Sequence, residues 1–481
     1  MKRKINFQYV YQILIFLLIF SFPFSSKLSV FDLGLFQLYA FRLILIVCFF
    51  VLLFDKKIKI PFSGPNKFLV FFCFYIIGYA LLSLLWVNDV SMALQQIFHL
   101  FWGVTIVIVV FSLLKAVHQS LNVFVIAWTA AFFTLSLFAF FEISAVIHFD
   151  GNFIKELEMF DSARAVFSAP MATFTNPNDY AVFLVLSVVV LTLFLNMRNS
   201  VVFLLVFIFS VYLLSFVNSN IADYSIYFFL VLFGLYVLFH VFLKRKISSV
   251  SDFDLTDTWV IRYHERFMIV LIVMFSIIYA VSSNSLVIYN RDNQTRDYFI
   301  PFPKNSTGLM MMYEELSITG DIHVENQAVA FRSKSYNERM NLIISGFCFA
   351  RQSYFFGIGA GQFMHCIQSN QSCVKVEKSA DPHCFTIELL SQYGVIPVIS
   401  LFVFMLISMF RVVKMVFRKL SLLMMPEFFF ILQIIPLYFL LSNAPSSFIS
   451  LSLNWIVLAL IAFMNEFIRI RKNENYYSQQ K

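Results

Sequence analysis

Charge is scarce in this chain. Asp, Glu, Lys and Arg make up 13% of its 481 residues, against about 25% in ordinary soluble domains. Apolar residues fill the gap: 60% of the chain is hydrophobic, with 64 Phe, and the mean hydropathy is +0.81. Together these exclude a soluble globular protein. Metal-ligand spacings are missing as well, since no CxxC pair and no His/Cys cluster occurs, so neither a metal nor a cofactor is expected. The first apolar run is bounded by Ser-Phe-Pro-Phe-Ser-Ser with no small-residue cleavage site, so it is expected to stay as an anchor. No inverted repeat of the kind common in transporters is evident.

What the chain has instead is a series of apolar runs, each near the roughly 17 to 25 residues that cross a bilayer. They fall at 9–26, 35–54, 68–86, 92–114, 121–147, 179–196, 200–217, 222–243, 267–289, 384–410, 423–441 and 447–467, about twelve in all. The fold expected is an all-α polytopic membrane protein with a large, partly helical loop before the last three spans. Three parts are expected: a membrane bundle over 1–289, a loop over 290–383, and a final group of spans with a short tail over 384–481. Lys and Arg gather at the N-terminus, in the loops 55–67, 244–266 and 411–419, and at the C-terminus. The positive-inside rule therefore predicts cytoplasmic termini and an extracytoplasmic 290–383 loop. The net charge of +8 is topogenic on this reading, and no nucleic acid is implied as a partner.

Chemistry concentrates in 331–394. Ser335-Tyr336-Asn337-Glu338 fits a capping box, predicting a helix that starts there with Arg339 in its first turn. Helix-like patterning covers 308–317 and 336–350. Gly357-Ile358-Gly359-Ala360-Gly361 forms a turn whose backbone N–H groups could approach a ligand. No strand pattern precedes it, so it is not a dinucleotide fingerprint. Asp381-Pro382-His383 reads as N-cap, N1 and N2 of the next helix, where the dipole favours a neutral, proton-accepting imidazole. Glu388 reads as structural. Cys366 and Cys373 are close enough in sequence to close a small disulfide loop or to remain thiols, whereas Cys48 and Cys73 sit within spans.

Elsewhere, Arg42 near the outer end of the second span either snorkels to headgroups or faces a polar cavity and helps hold an anion. Thr175-Asn176-Pro177-Asn178-Asp179 is a turn that caps the following helix. Asn176 and Asn178 are also candidate substrate contacts.

The combination Asn337-Glu338-Arg339, Phe356 to Phe363, Pro382-His383 with Glu388, and Gln392-Tyr393-Gly394 resembles the bacterial O-antigen ligase and Wzy-type polysaccharide polymerase superfamily. So do Phe174 to Asp179, Leu85-Trp86 with Asp89, and, more loosely, Ser446-Ser447 and Trp455. Within it the chain looks closest to Gram-positive capsule or teichuronic acid polymerases. The resemblance implies a metal-independent glycosyltransferase that polymerises undecaprenyl-diphosphate-linked repeat units of a cell-surface polysaccharide at the outer face of the cytoplasmic membrane. Its partners would be a lipid-linked saccharide donor and acceptor, membrane lipid, and flippase and chain-length regulator proteins. Carried over, Arg339 binds the donor diphosphate and His383 deprotonates the acceptor hydroxyl. Arg332, Arg351, Arg42, Gly357, Gly359, Gly361, Asn176 and Asn178 are candidate substrate contacts. Two departures stand out: Asn220 where the family commonly has arginine, and Cys384 where asparagine often follows the histidine. Alternatives are a ligase moving finished glycan to another acceptor, a lipid-linked-oligosaccharide flippase or transporter, and an inactive structural partner.

Overall fold

The fold is that of a computed structural model. It describes residues 7–24, 29–32, 37–117, 120–145, 170–174, 176–193, 200–217, 219–248, 285–288, 298–301, 324–376, 382–418, 426–444, 447 and 449–478. Six helical segments among them are long and apolar enough to cross a membrane: Phe7–Phe24, Asn66–Ser83, Val90–Ala116, Ser120–Ile143, Val395–Phe417 and Ser452–Arg469. Five shorter apolar helices add Ala40–Phe54, Pro177–Leu191, Val202–Leu214, Tyr224–Tyr236 and Glu427–Leu441. With few exposed polar faces to sort them, hydropathy alone gives these segments their character. The chain is an all-α multi-pass membrane protein. The expected run at 267–289 lies outside the described residues except for a strand, Ser285–Ile288, which pairs antiparallel with Tyr298–Pro301. The expected helix at 308–317 also lies outside them.

The chain divides into two compact units. The first comprises 1–133, 189–193 and 338–481, and holds α1 (Phe7–Ser21), a small hairpin of β1 (Ser29–Asp32) and β2 (Gln37–Tyr39), α2 (Ala40–Phe54), α3 (Asn66–Ser83) and α4 (Val90–Ala116). The hairpin occupies the start of the expected run 35–54, so that helix begins at Ala40. In this unit α14 (Ser452–Ser478) packs along α4, and α12 (Val395–Arg418) along α3. Gly103 lets Trp455 in: a Cβ there would lie 2.1 Å from the indole Cε2. A buried polar network ties three spans, with Asn66 Nδ2 donating to Ala462 O (2.9 Å) and Asn465 Nδ2 to Asn66 Oδ1 (3.0 Å) and Ser408 Oγ (2.8 Å). At the same end Glu466 is nearly fully buried and meets Lys115 (3.1 Å), Arg469 (2.6 Å) and the Ser63 hydroxyl. Buried charge is tolerated there because each partner is supplied.

The second unit comprises 134–188 and 194–337. In it Glu142, near the end of α5 (Ser120–Ala145), accepts from the N–H groups of Met171 (2.8 Å) and Ala172 (2.6 Å). α6 (Pro177–Leu191) begins with Asn176 Oδ1 accepting from Asn178 N at 2.8 Å. α7 (Ser200–Val217) and α8 (Asn220–Ser248) meet through Phe203 and Phe233, 5.6 Å between ring centroids. Asn220 is the first residue of α8.

Four local expectations need correction. The helix α9 runs over Val324–Gln352, so Ser335 lies mid-helix rather than at an N-cap position; no Gly or Pro interrupts the chain between Val324 and Ser345. The single run expected at 384–410 is two helices, α11 (Phe385–Tyr393) and α12, separated by Gly394 at φ +82°. α11 has Cys384 as its N-cap, and His383 precedes the helix at φ +49°, outside the N2 position expected for it. The first amide of α11, Phe385 N, donates instead to Ser442 O (3.2 Å), at the end of α13 (Pro426–Leu441). Finally, Cys373 bonds Cys348 of α9, with 6.2 Å between Cα atoms, and Cys366 stays a buried thiol.

Candidate active site

The site is assembled over the turn that joins α3 to α4. Asp89 N-caps α4, its carboxylate accepting from Met92 N at 2.9 Å. Gln362, buried at the start of α10 (Gln362–Gln368), clamps that turn. Its Oε1 accepts from Asn88 N and Asp89 N, both at 3.1 Å, while Nε2 donates to Asp89 O at 2.9 Å. Residues far apart in sequence that carried the resemblance, Asp89 and Gln362, are therefore one contact.

The glycine turn is held within the chain. Ile358 N donates to Ser391 O (2.8 Å), Gly359 N to Gln392 O (3.0 Å), Ala360 N to Ser83 Oγ (3.2 Å) and Gly361 N to Gln392 Oε1 (2.6 Å), and Gly357 N to Ser353 Oγ (3.1 Å). These N–H groups, expected to face a ligand, are engaged by protein acceptors. Glycine is required at Gly357 and Gly361 by close backbone approach. A Cβ would lie 2.5 Å from Gln392 O at the former and 2.4 Å from Met92 O at the latter, and both have positive φ.

The direction of the helices follows from two contacts. Gly346 of α9 packs on Ile387 of α11, where a Cβ would lie 2.2 Å from Ile387 Cγ2. Further along both segments, Phe355 O accepts from Val395 N at 3.0 Å. α9 and α11 therefore run the same way, with the glycine turn at their C-terminal ends. Arg339 precedes Gly346 by seven residues, two turns or roughly 10 Å back on the same face. His383 precedes Ile387 by four. Arg339 lies within α9, two turns before the Gly346–Ile387 contact, and His383 lies just before α11, while the glycine turn lies beyond the C-terminal ends of both helices.

A strap connects the two. After α10 the chain returns along α9, tied by the Cys348–Cys373 disulfide and then by Asn341 Nδ2 donating to Lys375 O at 3.1 Å. From Cys373 to Lys375 it thus runs along α9 from Cys348 toward Asn341. Beneath it Leu342, Phe349, Phe363, Cys366 and Ile367 form a small core, with Phe349 and Phe363 edge to face at 5.5 Å.

Arg339 is half-buried, and desolvation lowers its guanidinium pKa from the usual value; it stays a cation in which anion contact would count for more than in water. His383 is also partly buried. Next to it, burial raises the Cys384 thiol. Glu388 is buried in α11 and accepts from Ser447 Oγ at 2.7 Å. Arg351 is exposed in the last turn of α9, and the side chain of Arg332 lies outside the described residues. Arg42, at the start of α2, is caged by rings: its guanidinium carbon lies 4.8 Å from the Tyr39 centroid, 5.0 Å from Phe98 and 5.7 Å from Trp102. Asn176 and Asn178 lie in the second unit. Two features escaped the sequence. Cys348 sits in a helix with no spacing signal linking it to Cys373. His365, whose Nδ1 is 4.0 Å from Asp89 Oδ2, lacks any motif of its own.

The fold defines a multi-pass membrane protein, with Arg339 carried on α9 and His383 just before α11. Residues 223–403 match the family model described as O-antigen ligase, which supports the resemblance to that superfamily. The match includes Arg332, Arg339, Arg351, the glycine turn and His383; Arg42, Asn176 and Asn178 fall outside it. No curated protein matches the chain.

Proposed function

We propose that the protein is a polysaccharide polymerase that joins undecaprenyl-diphosphate-linked repeat units at the outer face of the cytoplasmic membrane, with both termini cytoplasmic. The observation that carries this reading is the family match over residues 223–403, a region that contains both Arg339 and His383. His383 takes the proton of an acceptor hydroxyl. The oxygen then attacks the anomeric carbon of the donor, and the C–O bond to the diphosphate breaks. Arg339 meets the charge that develops on the departing undecaprenyl diphosphate, with a planar fork suited to phosphate oxygens. The glycine turn serves as the scaffold that fixes α9 against α11. Arg332, Arg351, Arg42, Asn176 and Asn178 remain candidate contacts to the saccharide or its carrier. Flippase and chain-length regulator proteins would act beside it.

The description of the matched family, O-antigen ligase, favours a second reading of the same chemistry, a ligase that moves glycan to a different acceptor. Reconstituting the protein in liposomes with lipid-linked repeat units as both donor and acceptor separates the two. Ladders of longer lipid-linked glycan are expected, and they should form equally in EDTA. Transfer that occurs only when a different acceptor is added would establish the ligase instead.

A further inference from the structure

We propose that the exposed face of α9 between Met340 and Arg351, with the Tyr354–Phe356 knuckle that follows, is embedded in bilayer hydrocarbon, which makes the C-terminal half of α9 an interfacial helix. The inference needs only the multi-pass membrane character of the chain and does not rest on the transferase chemistry.

Met340, Ile344, Phe347 and Arg351 fall at helical spacing on a single stripe of α9. Phe347 is 52% exposed and Ile344 43%, although the opposite side of the helix already buries Leu342, Phe349 and Ala350. A helix apolar on both faces belongs in a core or in lipid. The stripe continues beyond the helix into Tyr354 and Phe356, 84% and 68% exposed.

Continuity with a span names the occupant. The Phe355 carbonyl accepts from Val395 N, the first residue of α12. From there a second exposed apolar stripe, including Ile399, Phe402 and Phe410, runs down that membrane-crossing helix. That contact sets the exposed Tyr354–Phe356 knuckle beside the start of α12, where Val395 and Ile396 are also exposed, and the hydrocarbon that covers the α12 stripe is the occupant assigned to the α9 stripe. Arg351 fits the same placement, since its long apolar stem lies along the stripe while its charge reaches headgroups. It also sits at the C-terminal end of α9, where a cation is favoured. An α9 lying in the interface carries Arg339, the neighbour of Met340, at headgroup depth. On the proposed function, that is the depth of a lipid-borne diphosphate.

The test uses the full chain in phosphatidylcholine–phosphatidylglycerol vesicles, with nitroxide labels placed by Phe347→Cys and, independently, Ile344→Cys. Lys375→Cys serves as the aqueous reference and the unsubstituted protein as the background. The expected result is a ratio of collision with oxygen over a water-soluble nickel chelate several-fold above that of the Lys375→Cys label. Nickel collision comparable to the reference would place α9 in water and overturn the proposal. Labels shielded from both reagents would mean that protein, another chain or a second copy, covers the stripe, and would overturn it equally. The two sites are exposed, so folding is expected for both; a label at either that folds decides the question.

Discussion

Arg339, within α9, and His383, just before α11, both lie in the matched region, although forty-four residues separate them in sequence. If they act as donor clamp and general base, each should be replaceable without loss of the fold. His383→Ala is expected to slow chain extension by about 10²- to 10⁴-fold, and Arg339→Ala by about 10²- to 10³-fold, at unchanged protein abundance. Arg339→Lys should recover little, because an ammonium lacks the planar fork. Gly361 behaves differently. Its φ of +70° and a Cβ position 2.4 Å from Met92 O make Gly361→Ala a structural lesion, with an expected loss of about 1 to 3 kcal/mol. Thermal unfolding in detergent would register it before any assay of transfer. Burial raises both the Cys366 and Cys384 thiols. Thiolate is the reactive form, so a raised pKa means less of it at pH 8; alkylation of the folded protein should be slow there and quicken only at higher pH. Denaturation should remove the difference.

The strap between α10 and α11 carries the main prediction about elements. Cys348 and Cys373 close a loop with a sequence separation of 25, which by chain-entropy arguments contributes about 3 kcal/mol to local stability. Replacing both with Ser should release the strap from α9, lower the unfolding temperature and reduce transfer even though no reacting group has changed. Full transfer at full stability would show that the Asn341–Lys375 contact alone positions the strap. The elements also explain what could be read beforehand. Spans were legible because bilayer thickness imposes a length and a composition on each. The division at Gly394 was not, because the apolar run continues across it and only the approach of Phe356 O, 2.4 Å from where a Cβ would stand, demands the break. Ser335 and Glu338 matched a cap motif, yet α9 passes through them because capping signals yield to a longer stretch of uninterrupted helix. The pairing of Cys373 was misjudged for a related reason: nearness in sequence pointed to Cys366, whereas the strap runs beside α9 and meets Cys348. His383 was expected inside a helix, but the Ser442 carbonyl takes the first helical amide, so the helix starts later and leaves His383 in a left-handed turn.

For the molecule as a whole, the residues that suggested the family were legible, and their purpose was less so. The glycines looked like substrate contacts, and Asp89, Gln362 and Gln392 only carried the resemblance; in the structure these residues hold one another. The decisive measurement is the length of cell-surface glycan in a strain deleted for this protein and complemented with wild type, His383→Ala or Arg339→Ala, with membrane levels matched. Long chains with wild type, and single lipid-linked repeats with either variant, are the predicted result. Long chains with both variants would contradict the assigned roles and move the transporter reading ahead of the polymerase.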